Sequence, residues 1–123
     1  MITANKTAKE FLPFLKAVAT QARMSTTNVK LQVKRGYSSS GEMGGMVGGK
    51  ITLAHPVEIG TEEFALTFLH ELQHTLDHFS GATGYFTGHE LEARANFAES
   101  LISKRSLIEL ANTYNMAKYW FVK

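Results

Sequence analysis

The sequence predicts one α+β domain: a small antiparallel or mixed sheet packed on a long helix, with a second helix lying across that helix. Three observations carry this. Val29, Leu31 and Val33 alternate with Lys30, Gln32 and Lys34, the period of a half-buried strand. Residues 61–79 repeat apolar side chains at helical spacing, with Ala65, Phe68, Leu69, Leu72, Leu76 and Phe79 on one face. The chain has 123 residues, 44% hydrophobic and 20% charged, which is enough for one core and typical of a globular domain.

Taken in order, the first helix is expected over residues 8–23, opened by a Thr7–Glu10 capping box and kinked or delayed by Pro13. A strand follows over residues 28–37. The glycine-rich stretch to Gly49 reads as a hairpin connection, with Met43, Met46 and Val47 in a short strand. Gly44 to Lys50 has some likeness to a phosphate-binding loop, but Ile51 stands where a hydroxyl should hold Mg²⁺. Residues 50–55 form another strand, ended by Pro56. Thr61 caps the next helix, and Glu62 and Glu63 lie at its positive end. That helix stops near Gly81. A loop with Gly84, Tyr85 and Gly88 leads to a Thr87–Glu90 capping box and a helix over residues 88–104. A last helix spans residues 106–119.

Composition excludes several classes. The net charge of +2 is too weak to argue for nucleic acid. There is no cysteine, hence no disulfide framework and no thiolate metal ligand. No apolar run approaches a membrane-spanning length, and Glu10 and Lys16 interrupt the one stretch resembling a signal peptide. A cytoplasmic setting without a membrane partner is the expectation.

The chemistry concentrates in His70-Glu71-Leu72-Gln73-His74, an H-E-x-x-H motif on the 61–79 helix. Residues four apart share a helix face, so the two imidazoles can converge on one Zn²⁺. Glu71 can then serve as general base toward a water on the ion. Glu63, Thr67, His70, His74 and His78 share the face opposite the apolar stripe, where a solvated polar face is the plainer reading. Three ligands on successive turns of one straight helix converge poorly, which favours His78 as a neighbour or surface histidine over a ligand. Asp77 is placed either to accept a ring N–H from a liganding histidine or simply to carry charge near the helix end.

For the third ligand, Glu90 is taken up by its capping box. Glu92 has no such task, and Ala93, Ala95 and Ala98 allow its helix to approach another closely. Glu92 is therefore the favoured ligand; Glu99, His78 and His89 remain alternatives, and Glu99 is also placed to hold a histidine ring from behind. Tyr85 either donates to a developing oxyanion or packs its ring on the helix pair.

The run from His70 to Gly81, including Asp77 and Phe79, resembles the H-E-x-x-H-x-x-D-x-aromatic-x-G block of anthrax-lethal-factor-type peptidase domains, on the gluzincin side of the zincin metallopeptidases. Tyr85 ahead of Glu92 follows their order of tyrosine and glutamate ligand. Glu92-Ala93 followed by Phe97-Ala98 is similar to the E-A-x-x-F-A helix of ImmA/IrrE-type peptidases, with the Phe-Ala pair one residue further along. The resemblance covers residues 50–104 and implies Zn²⁺, a sheet on the active-site helix and hydrolysis of a peptide bond. It also implies that residues 50–55 lie along the cleft and pair with an extended substrate.

The resulting expectation is a zinc metallopeptidase acting on a protein or peptide. His70, His74 and Glu92 bind the metal, Glu71 is the base and Tyr85 the oxyanion donor. The competing reading is a non-enzymatic zincin-like inhibitor or adaptor, of a kind a phage or mobile element encodes, acting on a host protein; an open cleft separates the two. A third is a latent protease whose segment of residues 38–49 orders on binding a partner.

Overall fold

A computed structural model describes residues 1–121. The chain runs β1 (Thr3–Ala4), α1 (Lys6–Lys9), α2 (Leu12–Gln21), β2 (Lys30–Lys34), β3 (Gly44–Val47), β4 (Lys50–Ala54), α3 (Pro56–Ser80), α4 (Gly88–Ala98) and α5 (Lys104–Thr113). Leu31 and Val33 of β2 stand beside Ile51 and Leu53 of β4, and all four are buried. This is the apolar face that period-two alternation anticipates. Phe14, Leu15 and Val18 of α2 and Phe64, Phe68 and Leu72 of α3 join these four in one core.

The sheet is mixed, in the order β1-β2-β4-β3. β1 and β4 flank β2 in parallel, and β3 pairs antiparallel with β4. β4 therefore has both edges occupied. The expectation that residues 50–55 would pair with a substrate is corrected: the free edge on this side belongs to β3. Gly48 (φ 57) and Gly49 (φ 83) turn β3 into β4. Two successive left-handed residues make the tight hairpin turn that suits strand twist. The stretch from Gly44 to Lys50 is used up in this hairpin and forms no phosphate-binding loop. Residues 38–49 are also structured, as a 3₁₀ turn (Tyr37–Ser40) followed by β3. Glu58 fastens that turn, accepting from Gly36 N at 2.6 Å and Ser38 Oγ at 2.8 Å.

Local chemistry moves several helix ends. Asn5, not Thr7, caps the first helix: its Oδ1 accepts from Ala8 N at 2.8 Å. Pro13 lies in the first turn of α2, so the predicted single helix becomes two. Gly60 (φ 84, ψ 160) breaks α3, and the regular part begins at Thr61. Thr61 donates its hydroxyl to Met116 O, and His55 Nδ1 caps the short leading segment by accepting from Val57 N. The Thr87–Glu90 capping box opens α4 as expected. However, α4 stops at Ala98, and Ser103 caps a new helix by accepting from Ser106 N. No helix among the described residues is long and apolar enough to cross a membrane.

Gly49 also lies under the ring of Phe79: a Cβ there would sit 2.8 Å from two ring carbons. Gly49→Ala combines that clash with a left-handed φ, and the expected loss is about 1–3 kcal/mol. Gly48→Ala meets open space and should cost less. Urea denaturation of the two variants compares them directly.

Candidate metal centre

α3 buries Phe64, Ala65, Phe68, Leu69 and Leu72 and turns His70 and His74 toward α4. The core stripe ends before its predicted limit, since Leu76 is half-buried and Phe79 is exposed over Gly49. Ala95 and Ala98 of α4 are fully buried, and these small side chains let α4 lie close along α3.

Glu92 on α4 then reaches both rings. His70 Nε2 lies 2.9 Å from Glu92 Oε1, and His74 Nε2 lies 3.1 Å from Oε2. One donor atom from each of His70, His74 and Glu92 falls within 4.8 Å of the other two. Glu99, seven residues on along the same face of α4, holds the back of the first ring: its Oε2 is 2.8 Å from His70 Nδ1. His78 and His89 are both exposed and stand outside this group.

The ring of His70 thus faces a carboxylate at each nitrogen. When Nδ1–H donates to Glu99, a neutral imidazole presents a lone pair at Nε2. That lone pair meets another acceptor, Glu92 Oε1. Two acceptors at this distance need a cation between them, a proton or a metal. The donor set also fits Zn²⁺, which takes imidazole and carboxylate at about 2.0–2.1 Å in a tetrahedral array. Donors so arranged stand about 3.3 Å apart; the two histidine–glutamate spacings, 2.9 and 3.1 Å, are close to that, and all three donors lie within 4.8 Å of one another.

Glu71 faces elsewhere. It is 9% exposed and lines a cavity of about 210 Å³ together with Met43, Gly44, Thr67 and His70. Among the described residues, no hydrogen bond or ion pair involves its carboxylate. Its oxygens nevertheless reach the cavity, since no fully buried side-chain N or O lacks a partner. Burial pushes this carboxyl up, the charges of His70 and His74 draw it down, and Glu92 and Glu42 add to the rise. Thr75 donates to Glu71 O at 2.9 Å and ties the backbone there.

Two expectations need correction. Tyr85 follows the 3₁₀ turn Ala82–Gly84, its side chain is 88% exposed, and it does not line the cavity at Glu71. The turn that ends α3 carries it outward, so the structure does not bring it to the other site residues. Asp77 supports no histidine. It is 1% exposed and accepts from Arg94 Nη2 at 2.8 Å, Arg94 Nε at 3.1 Å and Gln73 Nε2 at 3.0 Å. Arg94 was not foreseen. Only the alignment of α4 on α3 makes the two partners, and no local spacing signals it.

Comparison with family models, curated proteins and solved structures finds no match to this chain. The reading of the site therefore rests on its own geometry.

Burial pushes the Asp77 carboxyl up, but hydrogen bonds from Arg94 and Gln73 outweigh it and leave the carboxyl below its ordinary value. Asp77 then binds its proton less readily in the folded than in the unfolded chain. Its stabilisation is fully present above the unfolded value of about 4 and is lost as pH falls through the folded one. In Asp77→Asn, the urea midpoint should drop at neutral pH. Its further decline on acidification below about pH 4 should be shallower than the parent's.

Proposed function

We propose that this protein is a zinc-dependent peptidase of the gluzincin type, acting on a protein or peptide in the cytoplasm. The observation that carries the reading is the junction of α3 and α4. Two imidazoles one turn apart clasp a single carboxylate, while an unpartnered buried carboxylate opens onto the adjacent cavity. Removing a charge from water without a partner is costly, so a fold that keeps Glu71 this way keeps it for a purpose outside packing.

His70, His74 and Glu92 would hold the ion. Bound there, zinc supplies Lewis acidity toward a carbonyl oxygen and makes water easier to deprotonate. Glu99 fixes the ring of His70 from behind, which sets its tautomer and orientation. Glu71 takes the proton of the attacking water and passes it to the departing amine. Its raised affinity for protons suits a carrier that must both accept and release one. The free edge of β3, next to the cavity, offers backbone groups to an extended substrate. Tyr85, outside this group, has no role in the mechanism.

The competing reading, a zincin-like inhibitor or adaptor without catalysis, would be favoured by a cleft filled with the chain's own side chains. The cavity at Glu71 is instead open, and that supports hydrolysis.

The test separates metal binding from chemistry. One zinc per chain is expected by elemental analysis of the zinc-equilibrated protein, and His74→Ala should lose it. Glu71→Gln should retain zinc while hydrolysis of a fluorogenic peptide library falls by about 10²–10⁴-fold. A Glu71→Gln variant as active as the parent would falsify the mechanism. Glu99→Gln should still bind zinc, but about 10–100-fold more weakly.

A further inference from the structure

We propose that the cavity at Glu71 continues into a subsite for a cationic side chain, and that the site selects peptides with Lys or Arg about three residues to the carboxyl side of the cleaved bond. The inference rests on the peptidase reading above and adds the substrate class to it.

Two cavities meet along α3. The one at Glu71, of about 210 Å³, shares Met43 and Glu63 with a second of about 460 Å³. The second is lined also by Glu58, Ile59, Glu62 and Trp120. Among the described residues no lysine or arginine lines either one, although the whole chain carries a net charge of +2. Glu58 is engaged with Gly36 and Ser38, and Glu99 with His70. Glu62 and Glu63 make no side-chain hydrogen bond or ion pair among the described residues.

Acidic residues in a first helical turn are ordinary, because they complement the helix dipole. That effect accounts for Glu62 and Glu63 as such. It does not explain why they wall a cavity with an indole on the same wall and, among the described residues, no cation facing them. Glu71 is an independent sign that this space receives a ligand: the residue is nine-tenths buried, its carboxylate has no partner among the described residues, and its oxygens reach the smaller cavity. A lysine or arginine meets each of these features. Its stem packs on Met43, Ile59 and Trp120, and its head lies among the carboxylates and against the indole face.

Geometry sets the position. Glu63 precedes His70 by seven residues on one helix, about 10 Å at 1.5 Å per residue. An extended peptide covers that distance in about three residues at 3.3 Å each. Gly44 lies against Thr67 and Gly49 against Phe79, so β3 and α3 run in the same direction. A strand added antiparallel to β3, the slightly more stable pairing, runs the other way. Its carboxyl end points toward Glu63.

Trp120 is the only tryptophan, so its emission reports directly on the subsite. The probe is a tryptophan-free peptide library carrying one lysine, or norleucine in its place, titrated into Glu71→Gln protein to prevent turnover. The lysine library should shift Trp120 emission and bind about tenfold more tightly, with the gap closing as salt is added. The gap should vanish in the Glu62→Gln/Glu63→Gln variant and persist in Glu10→Gln/Glu109→Gln, a charge-matched control at residues that line neither cavity. Equal binding of the two libraries overturns the subsite. With zinc-loaded parent protein, cleavage three residues before lysine supports both claims. Binding of the lysine library without cleavage keeps the subsite and overturns the peptidase reading. Cleavage at equal rates for both libraries overturns the subsite alone.

Discussion

Asp77 carries a charge taken almost wholly out of water, and Arg94 makes that tolerable. Such a carboxylate cannot shed its partner cheaply, so the pair dictates how α4 rests on α3. With that register set, and with Ala95 and Ala98 allowing close contact, Glu92 arrives between His70 and His74 and Glu99 arrives behind His70. Arg94 also lies 4.7 Å over the ring of Phe86, which steadies the guanidinium from its other side. A structural ion pair on one side of α4 thus positions a chemical cluster on another.

Within that cluster the two roles of a carboxylate are kept apart by environment. Glu92 and Glu99 touch imidazole nitrogens and are partly open to solvent. Glu71 is nearly closed off, touches no donor among the described residues, and burial pushes its carboxyl up. Three acids on two helices therefore divide into two that stand against imidazole rings and one held apart from them. This division comes from burial and contact rather than from residue type.

The parts legible in the sequence were those governed by local period and capping chemistry. Alternation around Leu31 and Val33 marked β2, the stripe from Ala65 to Leu72 marked α3, and Thr87 with Glu90 marked the start of α4. The four-residue spacing of His70 and His74 located the side-chain cluster. The absence of any local task for Glu92 identified it as the residue to meet them. What escaped was decided between distant segments. Strand order is one case: the sequence of β4 does not reveal that β2 and β3 cover both its edges. Asp77 is another, since its partner depends on how two helices align. Asn5 displaced Thr7 as a cap because its side chain also accepts from Val33 N in the neighbouring strand, a bond no helix rule includes. Tyr85 was drawn toward the site by order along the chain, while the turn before it carries the ring into solvent.

Gly44 has a consequence for how such a protein can change. A side-chain carbon at that position would stand 2.6 Å from the Thr67 methyl and 3.0 Å from Leu53. At Gly44 the sheet-side wall of the slit is therefore bare backbone, and Met43 beside it is the side chain that this wall presents. Any descendant of this chain that reshapes the slit must do so at Met43 or on the opposing helix, where Glu63 and Thr67 stand.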